Sequence, residues 1–81
     1  MGLRSLARAY VLINAETGAE QEVMEELEPM VEVKEAHMVY GVYDIIARVE
    51  TETMEHLKNL ISWRIRRRDG VRSTLTLIVV E

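Results

Sequence analysis

With 81 residues the chain has room for one domain, and a formal net charge of −4 argues against wrapping nucleic acid, which is dominated by phosphate neutralisation. The absence of cysteine excludes a disulfide framework and any thiol-based zinc site or nucleophile. A hydrophobic fraction of 48% without any Phe is more aliphatic surface than one small core hides, because a domain this size buries only about 60% of what its unfolded chain exposes. Association between copies is the economical outlet.

Residues 1–8 read as an N-terminal extension, too short and too charged for a signal peptide, and a single domain is expected over 9–81. No apolar run reaches a transmembrane length, so a soluble, cytoplasmic protein without a membrane partner is the expectation. Ala9 to Ala15 is a continuous apolar run that ends in Asn-Ala-Glu-Thr-Gly, the pattern of a central strand running into a helix start. From Ala19 the apolar positions Val23, Leu27 and Met30 recur at helical spacing, with Glu20, Glu22, Glu25, Glu26 and Glu28 on the other faces and Pro29 ending the pattern. Acidic residues this dense make a solvated face, not a metal site.

Val31 to Tyr40 alternates imperfectly, as an edge strand with a bulge does. Gly41 then suits the first central position of a two-residue type II′ turn, and Asp44 opens the strand Asp44 to Glu50. A carboxylate at the start of a buried strand is either a solvated turn residue or a group held in place for a ligand. The spacing predicts a second helix from about Glu52 to Arg68, with Met54, Leu57, Leu60, Ile61 and Ile65 on one stripe, acids in its first turn and arginines in its last. Asp69-Gly70 closes it, and Val71 to Val80 is a β-branched last strand.

The order βαββαβ gives an α+β, ferredoxin-like fold, a four-stranded antiparallel sheet with two helices on one face. By parity, Ile45, Ala47 and Val49 of the third strand and Leu75, Leu77 and Val79 of the fourth are expected under the helices. Asp44, Ile46, Arg48 and Glu50 with Thr74, Thr76, Ile78 and Val80 are expected on the open face. A dimer contact across Ile46, Ile78 and Val80 would cover it.

The hairpin Val-Tyr-Gly-Val-Tyr-Asp-Ile-Ile, followed across the second helix by Asp-Gly-Val-Arg-Ser-Thr-Leu-Thr-Leu-Ile-Val-Val, resembles the effector-binding (RAM) domain of the Lrp/AsnC transcription regulators. The resemblance covers nearly everything after residue 8 and rests on two motifs: Gly41, Tyr43 and Asp44 at the turn, and Gly70, Val71, Thr74 and Thr76 at the last strand. No helix-turn-helix precedes the domain, so it is similar to the short, stand-alone form of the family. The resemblance implies an amino acid effector at a seam between dimers, in a homo-oligomer that builds from dimers to a tetramer or octamer. A full-length Lrp/AsnC regulator is an implied partner, and direct sequence-specific DNA binding is not expected. The implied effector-binding residues are Tyr40, Gly41, Tyr43, Asp44, Thr74 and Thr76, and no cofactor is implied.

Asp44 can accept from an ammonium, while turn N–H groups near Gly41 and Val42, or the Thr74 and Thr76 hydroxyls, can donate to a carboxylate. In the expected strand order the third and fourth strands are not neighbours, so Asp44 and the threonines would meet across an interface. The run Arg64-Ile65-Arg66-Arg67-Arg68 lies at a helix C-terminus, where carbonyls repel phosphate, and is read as a solvated or interface face. An RNA-binding domain of this fold would present stacking aromatics that are missing here. His37 and His56 match no metal-ligand spacing, Trp63 reads as packing or interface, and Met24, Met30, Met38 and Met54 as core filler. The other function class compatible with an open sheet face is a small dimeric ferredoxin-like enzyme of the monooxygenase or isomerase type.

Overall fold

A computed structural model describes residues 6–80. The elements are β1 (Ala7–Ala15), α1 (Glu20–Leu27), β2 (Val33–Met38), β3 (Ile45–Thr51), α2 (Met54–Asn59) running on into a π-helical segment (Leu60–Ile65), and β4 (Val71–Ile78). The sheet is antiparallel in the order β2-β3-β1-β4, the ferredoxin-like arrangement. The first five residues of the expected N-terminal extension lie outside the described ones, and β1 begins at Ala7, two residues ahead of the expected Ala9.

Ala9, Val11 and Ile13 of β1 and Ile45, Ala47 and Val49 of β3 are wholly buried. Val23, Met24 and Leu27 of α1 and Leu57, Leu60, Ile61 and Ile65 of the second helix pack onto this side. The second helix starts on Thr53, whose side chain accepts from the His56 N–H at 3.0 Å, a cap that satisfies one of the orphan amides of the first turn. It is not one uniform α-helix over 52–68. The Arg66 N–H donates to the Ile61 carbonyl at 2.8 Å, five residues back, so the last turns are wound more loosely. Two of the four methionines expected in the core are not there: Met24 and Met30 are buried, whereas Met38 and Met54 are exposed.

The faces of β4 are the reverse of the parity expectation. Ala15 pairs with Val71 and Asn14 with Ser73, so one step along β1 spans two along β4, and Arg72 is the extra residue. Val71 packs against the core, but beyond the irregularity every side chain has changed sides. Thr74, Thr76 and Ile78 lie opposite Ile13, Val11 and Ala9 on the helix face. Leu75 and Leu77 lie opposite Leu12 and Tyr10 on the open face, 44% and 50% exposed. Val79 falls past the end of β4 and outside the core cluster. The apolar strip of the open face is therefore Tyr10, Leu12, Ile46, Leu75 and Leu77; Ile78 belongs to the other side, and Val80 lies beyond the sheet.

The β2–β3 connection also differs from the expected two-residue turn. Met38 pairs with Ile45, and the six residues between them close through a 2.8 Å bond from the Val39 N–H to the Asp44 carbonyl. Gly41 does not adopt a positive φ, so no type II′ turn forms there, and a Cβ on it would meet open space. Gly70 is the glycine whose backbone matters. Its φ is +89°, and an added Cβ would sit 3.1 Å from both Ala19 Cβ and Val23 Cγ2 of the first helix region. We expect Gly70→Ala to cost about 1–3 kcal/mol by chemical denaturation, and Gly41→Ala to stay within about 0.5 kcal/mol. A comparable loss for both would contradict this backbone assignment.

Candidate functional site

β1 runs two residues past its last pair with β3, Ile13 with Ile45, so the Ala15 amide on that side has no ladder partner. Asp44 fills the gap: its Oδ2 accepts from the Ala15 N–H at 2.9 Å, while its own N–H donates to the Ile13 carbonyl at 2.9 Å. Two hydrogen bonds thus hold this half-buried residue to the end of β1, and the bond from Val39 ties it to the end of β2. Asp44 is thus neither a free solvated turn residue nor a carboxylate wholly open to a ligand. One oxygen is committed to the backbone, and Oδ1 bonds to no other described residue. Tyr40 and Val42 stand fully out at the loop tip, and Tyr43 is half-buried behind them.

Thr74 and Thr76 do not join this group within one subunit. They lie on the far side of β1, where Ile13 has Ile45 on one flank and Thr74 on the other, about 10 Å apart at the usual strand spacing. Both threonines line a groove of about 350 Å³ with Lys58, Ile61, Ser62 and Arg66.

A cluster that sequence reasoning missed joins the turn after Pro29 to the second helix. Glu32 is 90% buried at its side chain, and its Oε2 accepts from His56 Nε2 at 3.2 Å and from Arg64 Nη1 at 3.0 Å. Its carbonyl meanwhile accepts from the Glu50 N–H at 2.9 Å, which fixes the turn to β3. Burial works to raise the carboxyl pKa, but a hydrogen bond from the residue's own backbone, the Arg64 charge, and the His56 and Arg64 hydrogen bonds outweigh it, holding Glu32 below the usual 4.5. His56, although exposed, therefore has a carboxylate partner. His37 pairs with Glu35 at 3.3 Å on the exposed edge. Among the described residues no group of three or more His, Asp or Glu could hold a metal ion.

The arginine run is divided among separate tasks. Arg64 takes Glu32, Arg68 reaches Glu26 at 3.4 Å, and Arg67 stacks on Trp63 with its guanidinium 4.0 Å from the ring centroid. Trp63 itself is 60% exposed and plays no part in core packing. No helix of the described residues is long and apolar enough to cross a membrane.

The profile of the Lrp/AsnC ligand binding domain family matches residues 8–81. An uncharacterized HTH-type transcriptional regulator of Pyrococcus abyssi, PYRAB01370, is 34% identical over 71 residues, which cover 88% of this chain and 45% of that regulator. The chain spans less than half the length of the curated relatives it matches. Among solved structures, FFRP-DM1 superimposes with a TM-score of 0.90 at 43% identity, covering 91% of this chain and 99% of that one. Transcriptional regulator NMB0573 of Neisseria meningitidis, solved as a complex with L-Met, shares the fold at 13% identity with a TM-score of 0.83, covering 93% of this chain and 50% of that one.

Because the folded pKa of Glu32 is depressed, its stabilising contribution is complete above about pH 4.5 and is lost as pH falls through the lower folded value. Glu32→Gln should therefore lower stability at pH 7 by about 1.5 kcal/mol, the low end for a charge-assisted bond since the amide still accepts. The difference from wild type should shrink in acid. Denaturation curves at pH 7 and pH 3 test it, and a pH-independent difference would show that the carboxylate charge is not what stabilises this turn.

Proposed function

The chain belongs to the Lrp/AsnC ligand-binding domain family, related to transcriptional regulators, and on that premise we propose that it is an amino acid sensing module whose effector sits at a seam between subunits. The observation that carries this reading is Asp44: a carboxylate held rigidly at the end of a strand, with one oxygen left to accept from an ammonium. The carboxylate end of the effector takes N–H donors around Gly41 and Val42, or the Thr74 and Thr76 hydroxyls of a neighbouring subunit, since one subunit keeps them apart from Asp44. Tyr40 and Tyr43 flank the site, and the exposed Val39, Tyr40 and Val42 at the loop suit contact with another copy. The L-Met complex of the Neisseria regulator supports an amino acid as the ligand of this fold.

Two copies associate through the open sheet face, where Tyr10, Leu12, Ile46, Leu75 and Leu77 form an apolar strip beside the Arg48 pairs with Glu35 and Glu50. Dimers then assemble further so that the loop carrying Asp44 meets a neighbour. The signal passes to a full-length Lrp/AsnC regulator and not to DNA directly. An enzyme reading has less support. Both histidines pair with glutamates, His37 with Glu35 and His56 with Glu32, and neither stands with Asp44. The curated relatives are transcriptional regulators.

Light scattering coupled to size exclusion should show a dimer or larger even assembly at micromolar concentration, and Leu77→Glu should shift it toward monomer. An unchanged elution for the variant would move the interface elsewhere. Asp44→Asn keeps an acceptor for the Ala15 amide and removes the charge. It should weaken effector binding about ten- to a hundred-fold, the equivalent of a charge-assisted bond of roughly 1.5–3 kcal/mol. The effector is first found by thermal-shift screening of the twenty amino acids, and calorimetric titration of both proteins then decides. Equal affinities would show that Asp44 is only a clasp for β1.

A further inference from the structure

The two helices that cover the sheet are charged in opposite senses. α1 with its C-cap carries Glu20, Glu22, Glu25, Glu26 and Glu28 and no basic residue. From Leu57 to Arg68 the second helix and its last turn carry Lys58, Arg64, Arg66, Arg67 and Arg68 and no acidic one. Within each helix the like charges recur at three- and four-residue steps, Glu22 with Glu25 and Glu26, Arg64 with Arg67 and Arg68, a spacing at which they repel. Glu25, Glu26 and Glu28 also stand at the negative end of the α1 dipole, where an anion is disfavoured. The chain relieves only part of this. Arg68 pairs with Glu26 and Arg64 with Glu32, whereas Glu22, Glu25, Glu28 and Arg66 are exposed and pair with no opposite charge among the described residues. Between these unrelieved charges stands Trp63, 60% exposed, which with Ser62, Arg66 and Arg67 lines an open groove of about 510 Å³.

From this arrangement we infer that the helix face is a docking surface for the helix face of a second copy of the chain. The arginine end of the second helix lies against α1 of the other copy, and the reverse contact forms at the same time. A two-fold axis brings the same two unlike patches together twice, so a chain that carries both charges side by side is complementary to itself. Arg66 and Arg67 then meet an acidic helix that lacks cations of its own, and Trp63 supplies the buried anchor, tryptophan and arginine being the residue types that dominate interface energies. Nucleic acid fits this face less well. The α1 carboxylates border the arginines in a shared groove with Glu25, Glu26, Arg64 and Arg68, and they would repel a phosphate chain, whereas a second copy brings a cation for each side. The contact uses neither the open sheet face nor the loop of Asp44, so it goes beyond the effector reading.

Trp63 is the single tryptophan of the chain, so its emission reports this contact and not one across the sheet. In wild type the emission should move to the blue as concentration rises, in step with the mass by sedimentation velocity. Salt at about 1 M, which shortens the screening length to roughly 3 Å, should reverse both changes. By mass, Arg66→Glu/Arg67→Glu and Glu22→Lys/Glu25→Lys should each weaken the association at least about tenfold, and Trp63→Ala by a similar factor, with circular dichroism confirming the fold. An equimolar mixture of the two charge-reversed proteins should regain it, since each offers the charge that the other lost. Leu77→Glu and Asp44→Asn should leave the salt-sensitive Trp63 response in place, so the sheet-face and effector readings fail or hold separately. Emission unmoved by both dilution and salt, or no recovery in the mixture, overturns the proposal. Saturable binding of an oligonucleotide at this face in place of self-association would overturn it too.

Discussion

One extra residue in a strand decides what each side of this sheet is for. Between Asn14 and Ala15 the β1–β4 register slips, Arg72 is left over, and every later side chain of β4 changes sides. Had the ladder run on without it, Leu75 and Leu77 would have entered the core and two threonines would have faced outward. Instead the leucines join Tyr10, Leu12 and Ile46 on the open face, and the hydroxyls turn toward Lys58 and Arg66. An apolar open face and a polar groove thus arise from the same displacement.

The core survives this because β4 is an edge strand and the second helix covers only part of it. β1 and β3 carry the burial, with Ala9, Val11, Ile13, Ile45, Ala47 and Val49 closed off on the helix side. The Glu32 cluster then ties the turn before β2 to the second helix at the opposite margin of the sheet, through the side chains of His56 and Arg64, and to β3 through the Glu50 N–H. Gly70 completes the frame, since its bare α-carbon lets the first helix region approach the start of β4.

The element order was legible because a continuous apolar run such as Tyr10 to Ile13 marks a buried strand and a helical period is written in Val23, Leu27 and Met30. The inversion of β4 was not, because a parity reading has no access to the point at which one residue is left unpaired. Gly41 misled for a different reason: glycine permits a positive φ without requiring it, and a six-residue loop needs none here. The position of Asp44 at the strand margin could be read from its neighbours, but its partner is the backbone amide of Ala15, which leaves no trace in residue identity. Glu32 was hidden by company, being one carboxylate among 14. Lys58, Ser62 and Arg66 did carry a signal in their four-residue spacing, which acquires meaning only once Thr74 and Thr76 are known to face the helix.

The π-helical segment is the helical counterpart of the bulge at Arg72. A bond reaching back five residues, from Arg66 to Ile61, accommodates one residue more than an α-turn would, and it carries everything downstream round the helix axis by roughly 100°. The groove is therefore bounded on one side by a phase shift in a helix and on the other by a phase shift in a strand. Such features belong to chain length more than to residue identity. Substitutions can alter the chemistry of the groove one group at a time, but a single insertion or deletion near either shift would exchange whole faces. Among relatives, the spacing between Ile61 and Thr74 is then a more faithful marker of this groove than any one side chain in it.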